Sequence, residues 1–510
     1  MNTKRKMAAT MAALSLLAAV AVGCSGKQET AATGNAQQAP DGAPAGAQPG
    51  TPLKMTMSNV YFTTEAPKSD SEFMKKFEEL TNTKMEITWI PNPAIADKMT
   101  AMIAGNELPQ VFFVVDKSPV VVNAIRSGMF WEIGPLLKQY PNLSKMPELS
   151  LQNTSIDGKL YAIPKLRELT RDGIVFRKDW LDNVGLKEPQ TLDDLLKVLK
   201  AFTENDPDKN GKNDTYAFAS KGPVPTGFKH FMMYYGGSNE WEVKDGKFTP
   251  DFMTPTYMEV MKLYRQMYQD KWFNQDFAVL SDSTTLINKG KAGVYFNVLD
   301  DVSSRFTELQ KSNPSAVLDV IGPIEGKNGK RIQAGSGYNG MYLFPKTSIK
   351  TEADLKQVLA RLDKFADPAV QNLLAWGIEG KHYKLDNGKP VRLDDKVWND
   401  EIWAPYNQLR FDRGELATKG EESAIIKKYK QLQSDDVKYA VSRPIDPYNS
   451  DTMNSQGKQL TKLIDDARVK FIMGQLDEAG FNKVVEQWLK EGGSKVIEEY
   501  NAEYAKAGKK

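Results

Sequence analysis

"LKMTMSNVYFTTEAPKSDSEFMKKFEELTNTKMEITWI", residues 53–90, changes period twice. Its first ten residues alternate apolar and polar side chains, as a half-buried strand does. The stretch SDSEFMKKFEEL then sets Phe73, Phe77 and Leu80 on one helical stripe behind a capping box at Ser69 and Glu72. KMEITWI returns to alternation, the stretch from Met99 to Ile103 is helically spaced, and QVFFVV (110–115) is a short continuous apolar run of the kind a buried parallel strand shows. Strand–helix alternation of this sort predicts a doubly wound α/β lobe, whose ligands sit beyond the carboxyl ends of the strands. The loops after Tyr61, Trp89 and Val115 are therefore expected to face the site.

Outward from there the pattern becomes richer in helix. Past Arg171, Thr191 with Asp194 opens a helix carrying Leu192, Leu195, Leu196, Leu199 and Phe202, and a second pattern runs from Tyr257 to Tyr268. KAGVYFN and VLDVIGPIEG read as strands, GYNGMYLFP as strand and loop, and TEADLKQVLARLDKFA as a helix capped by Thr351. Residues 456–506 are strongly helical. A chain of 510 residues is too long for one core, so at least two lobes are expected. The balance of 67 Lys and Arg against 65 Asp and Glu gives no field that would favour nucleic acid.

The N-terminus reads as an address. Lys4, Arg5 and Lys6 precede MAATMAALSLLAAVAVG, which ends at Cys24, the single cysteine of the chain. Residues 1–23 read as a signal peptide, and AVGC resembles a lipoprotein processing site at which Cys24 receives lipid, palmitate included. Removal of residues 1–23 brings the formal charge to about −1. Residues 24–52, rich in Ala, Gly, Pro and Gln, bury too little apolar surface to fold. They read as a flexible tether spanning on the order of 30 Å.

Several phrases fall in one order along the mature chain: KMTAMIAGNELPQVFFV, IDGKLYAIP, VFRKDWLDNVGLKEPQTLDDLLKVLKAFTENDPDKNGKNDTYAF, NKGKAGVYF, GIEGKHYKLDNGK and RVKFIMGQLD. Together with the lipobox and tether, they resemble the extracellular solute-binding lipoproteins of carbohydrate ABC importers, in particular the large oligosaccharide-binding, Gram-positive-type branch. The resemblance implies a bilobal α/β fold of the periplasmic-binding-protein kind, with the first crossing between lobes at DGKLYAIP and two recrossings. It places one lobe at 53–163 plus 322–378 and the other at 164–321 plus 379–510. It also implies a monomer on the outer face of the cell membrane that closes about an oligosaccharide by a hinge and delivers it to a permease.

DPDKNGKND (206–214) sets Asp206, Asp208 and Asn210 at positions one, three and five of an EF-hand-like loop. Gly211 takes the turn, the carbonyl of Lys212 position seven and Asp214 position nine. These are hard oxygen donors suited to a structural calcium ion. Position twelve is Ala217 rather than glutamate, and Thr215 stands where the resembling loop has an early acid. An ion-free Asx- and Gly-rich turn is the alternative.

Sugar faces pack on aromatic rings while their hydroxyls need planar polar partners. Among 9 Trp and 19 Tyr, those in loop-like contexts are the candidates: Tyr61 with Asn59, Trp241, Tyr338 with Asn339, Trp376, Trp403 and Tyr406. Trp180, Trp272 and Trp488 read as core. Arg167 and Arg171, just past the first crossing, offer forked donors to hydroxyls or to an acidic sugar. The rival reading is a secreted glycoside hydrolase or lyase. Any carboxylate pair drawn from 65 acids is uninformative, however, and HExxH, GxSxG, Walker and dinucleotide glycine patterns are missing.

Overall fold

The computed structural model describes residues 51–507; Cys24, the signal peptide and most of the tether lie outside the described residues. The opening stretch folds as its periods predict, into β1 (Leu53–Tyr61), α1 (Glu72–Thr81) and β2 (Thr83–Pro91), with β1 and β2 paired in parallel. The cap differs from expectation. Ser71, not Ser69, accepts from the Met74 N–H at 3.1 Å, because the helix begins at Glu72.

β3 (Phe112–Val114), β4 (Ala162–Leu166) and β10 (Tyr338–Leu343) form one sheet with β10 in the middle, antiparallel to both neighbours. β3 is thus buried as its apolar run predicts, but its sheet partner runs the other way. Backbone bonds of 3.0 and 3.1 Å between Ser58, Val111 and Thr56 join this sheet to β1. The second sheet has the order β8 (Leu318–Ile321), β5 (Asp172–Arg177), β7 (Ala292–Val298), β6 (Tyr216–Phe218). Only its β6–β7 pair is parallel.

Both sheets are covered on both faces, which explains why their strands are continuously apolar. On β10, Tyr342 packs with Phe73, Phe77 and Leu359, while Met341 and Leu343 pack with Val121, Ile125 and Phe130 on the other side. On β5, Ile174 and Phe176 face Trp180, Phe202 and Phe218, and Val175 faces Leu299 and Leu309. The period-2 geometry of a strand thus assigns its side chains alternately to two cores. Two further helices that cover the faces are capped as expected. Thr191 opens α3 (Leu192–Glu204) by accepting from Asp194 N–H, and Thr351 with Asp354 forms a capping box on α4 (Glu352–Phe365). Trp180 and Trp488 are buried, and Trp272 is half-buried.

The fold is bilobal, and hydrogen bonds locate where the chain passes between the lobes. β4 of the first sheet runs through 167–171 into β5 of the second. β9 (Ile332–Gln333) leads back to β10 beside it, with Arg167 N–H donating to Gly337 O at 3.0 Å and Gly335 N–H to Leu169 O at 2.7 Å. The third passage, 411–424, begins where Leu166 N–H donates to Phe411 O and ends at α6 (Ala424–Asp435).

Packing bears on two of the expected boundaries. Ile402, Tyr406, Leu409 and Phe411 belong to the core of β1 and α1 rather than to the second lobe. Ile321 and Ile324 pack with the core of β5. Short-range periodicity cannot reveal either, since both depend on which distant core receives the side chains.

Candidate ligand-binding cleft

The carboxyl ends of β1, β2, β3 and β4 and the start of β10 share one edge of the first lobe, because β10 alone runs against the others. In the second lobe the ends of β6, β7 and β8 share an edge with the start of β5. The crossing 167–171 leaves the first edge and enters the second, so these two edges border the space between the lobes. This is the crevice in which α/β proteins bind ligands.

Tyr61 ends β1 on that edge, half-buried, and is followed by Phe62, which is 60% exposed. Tyr338 opens β10 on the same edge beside the exposed Asn339. Burial together with Asp446 and Asp116 pushes the Tyr338 phenol well above its ordinary value, so it stays a hydrogen-bond donor at neutral pH. Arg167 is exposed on the first crossing, and among the described residues no carboxylate lies within ion-pair distance of it. Arg171 differs: its guanidinium is bound to Asp300 at 2.5 Å within the second lobe.

Three expected ligand residues are turned inward instead. Asn59 is 0% exposed, and its amide donates to Gln408 O at 2.8 Å and to the Tyr342 hydroxyl at 3.1 Å. Trp241 is buried edge-to-face against Tyr500 at 5.2 Å. Tyr406 stacks on Phe73 at 4.2 Å, and its hydroxyl donates to Lys68 O at 2.7 Å. Each sits in a loop-like or edge context in sequence, but partners more than two hundred residues away bury it. Trp376 and Trp403 stand apart from these. The Arg392 guanidinium lies 5.3 Å from the Trp376 ring and 3.5 Å from Trp398, which stacks on Trp403 at 5.6 Å. Trp376 Nε1 donates to Thr418 O, whereas Trp403 keeps 37% of its surface exposed.

The lobes also touch directly. Arg126, ending α2 (Pro119–Arg126), is gripped by Asp157 and reaches Asp451 at 3.1 Å, in the first turn of α7 (Asp451–Ile472). Nearby, the Lys117 ammonium donates to Asp446 O at 2.5 Å, and burial pushes it down to about 8. Sequence reasoning read a helix over 456–506 but did not offer α7 as part of the site; its exposed face lines a depression of about 610 Å³ with Pro223 from the segment after β6. Gly457 inside that helical pattern was a local signal of a close approach there.

In the 206–214 loop the acids converge without enough positive charge. The Asn210 amide donates to Asp208 at 2.9 Å and to Asp214 at 3.1 Å. Lys291 pairs with Asp214, while Asp208 Oδ1 is buried with no partner. Burial and the neighbouring Asp206 carboxyl raise Asp208 above the usual carboxylate range. Gly211 holds φ 77°, as the tight turn requires, and Asp206 accepts from its N–H at 2.9 Å. Among the described residues no group of three or more acidic side chains is set to hold a metal ion, although the orphaned Asp208 oxygen is a donor of the type calcium takes. Thr215 does not complete the set in the way its position suggests, because its hydroxyl donates to Phe202 O at 2.8 Å.

With this geometry in place, the profile of the bacterial extracellular solute-binding proteins matches residues 63–372. The chain belongs to that family. This solute-binding protein is 39% identical over 500 residues to the polygalacturonan/rhamnogalacturonan-binding protein YtcQ of Bacillus subtilis, covering 96% of this chain and 97% of that one. It is 36% identical to the lipoprotein LipO of the same organism, over 86% and 90% of the two chains. Among solved structures it resembles an EF-hand mutant of the Streptococcus pneumoniae ABC-transporter substrate-binding protein FusA in complex with fructo-nystose. That match has a TM-score of 0.61 and 20% identity, and covers 89% of this chain and 99% of that one. Among the described residues of this solute-binding protein, no helix is long and apolar enough to cross a membrane.

Proposed function

We propose that this protein is the substrate-binding lipoprotein of an ABC importer, capturing an oligosaccharide between its lobes and delivering it to a membrane permease. Three adjacent passages joining two facing strand edges carry the reading: they form a hinge whose closure converts two half-sites into one binding surface. A ligand favours the closed state only through its differential affinity for it, so residues contributed by both edges set the response. Kinship to a polygalacturonan/rhamnogalacturonan-binding protein supports a carbohydrate ligand.

In this reading the first lobe comprises 53–166 and 338–411, and the second 172–333 and 424–507. Tyr61, Arg167, Tyr338, Asn339 and Trp403 contact sugar. Arg171 holds the second edge through Asp300, and Trp376 supports the Trp398–Trp403 stack. Cys24 carries the lipid, and residues 25–52 give the body its reach on the outer face of the membrane. Asp206, Asp208, Asn210, Asp214 and the carbonyl of Lys212 hold a structural calcium ion, a reading supported by the EF-hand of the related FusA. No bond in the sugar is broken.

Titration calorimetry with a panel of neutral and acidic oligosaccharides, followed by chromatography of the recovered sugar, tests this. Saturable binding with intact sugar is expected; fragments of the sugar would restore the hydrolase or lyase reading.

A further inference from the structure

The depression beside α7 lies at the ligand edge of the second lobe. Pro223 follows β6, whose carboxyl end is on that edge, and α7 begins at Asp451, in contact with Arg126 of the first lobe. Its volume of about 610 Å³ is in the range of small-ligand sites. Pro223 and Met453 supply apolar faces, and Gly457 adds no side chain to the floor. Asn454, Lys458 and Thr461 supply polar heads that make no side-chain hydrogen bond with other described residues. That mixture of flat apolar surface and unengaged polar groups suits a saccharide.

The charges select further among saccharides. Of the four charged side chains in the lining, Asp465 is bound by Arg468 at 2.6 Å and Asp466 by Lys462 at 2.8 Å. Lys458, on the exposed face of the helix, has no carboxylate within ion-pair distance among the described residues. The depression therefore carries one uncompensated positive charge.

We infer that this wall of α7 is a subsite for a carboxylate-bearing sugar, with Lys458 meeting a uronate and Asn454 and Thr461 meeting its hydroxyls. This deepens, and rests on, the oligosaccharide-binding reading. Lys458 acts as a specificity determinant: it adds affinity for an acidic unit and nothing for its neutral counterpart.

The test uses the mature protein and Lys458→Gln, with trigalacturonate and its methyl-esterified form as probes in calorimetry at two ionic strengths. Wild type is expected to prefer trigalacturonate. The variant is expected to lose about tenfold in affinity for it, with a flatter salt dependence, unchanged affinity for the ester and unchanged melting. Equal affinity of wild type and variant for trigalacturonate overturns the inference, as does an equal loss for both sugars or binding of the neutral form alone. If wild type binds neither probe nor any sugar of the wider panel, the transport reading itself fails. If sugar binding is unchanged while uptake is lost, α7 is a permease contact and the subsite is refuted.

Discussion

Lys165 Nζ donates to the backbone carbonyl of Gln408 at 2.7 Å, tying the strand that enters the first crossing to the turn that precedes the third. The same carbonyl accepts from Asn59 and from Tyr342, so β1, β4, β10 and the 407–409 turn meet at one oxygen.

Lys165 is 5% exposed, its ammonium lies 5.1 Å from the Phe113 ring centroid and has no carboxylate partner among the described residues; burial pushes it down to about 7. Below that pH, folded and unfolded chains both carry the proton and the full desolvation cost is present. Above it the folded form gives up a proton that the unfolded chain still holds, so this group's contribution to stability rises with pH towards the ordinary lysine value. Relative to Lys165→Met, wild type is expected to gain about 2 kcal/mol between roughly pH 7 and pH 9. Denaturant unfolding of both proteins across that range checks the sign. The facing groups Asn59, Gln408 and Tyr342 do not titrate there, since burial holds the Tyr342 phenol far above it.

Asn59→Ala separates structure from recognition. Removing a fully buried amide with three engaged hydrogen bonds is expected to cost about 1–3 kcal/mol. Sugar affinity of the folded protein should stay within about twofold, as no first-hand contact is lost. Tyr61→Ala is expected to show the reverse, a weaker sugar isotherm with little change in melting. A large affinity loss for Asn59→Ala at unchanged stability would contradict its interior role.

The two arginines of the first crossing are expected to behave differently. Arg171→Gln leaves the half-buried Asp300 without its cation and lowers the melting temperature. Arg167→Gln breaks no ion pair, and its effect should appear in the affinity for acidic sugars and its salt dependence. Thermal melts beside calorimetry on each variant distinguish the two.

Calcium at saturating concentration is expected to raise the melting temperature, by an amount equivalent to about 2.7 kcal/mol at a hundred times Kd. A chelator should reverse this, and Asp208→Asn should abolish it. Because Asp208 is held above the usual carboxylate range, calcium affinity should weaken as pH falls. Melting curves with calcium and with chelator at several pH values read all three.

The regular features were open to sequence reading because they are local. The alternation of LKMTMSNVYF, the Phe73–Phe77 stripe and the Thr191 and Thr351 caps each involve residues a few positions apart, so backbone geometry alone sets their pattern. Even locally, two serines two residues apart could not be told apart as the cap of α1 until the helix start was known. The spacing of oxygen-bearing side chains at 206–214 is likewise a local pattern, whereas the engagement of Thr215 by Phe202 is not.

What the sequence by itself determined is the set of elements, the two-lobe scale of the chain and the chemistry it carries: aromatics, arginines and a run of calcium-type donors. Only the tertiary structure decided which of these face the crevice. Asn59, Trp241 and Tyr406 are drawn inward, while Lys458 on a helix near the C-terminus comes to the same edge as Pro223. The physical reason is that burial is a property of chain segments brought together across hundreds of residues, where the removal of apolar surface from water outweighs local preference.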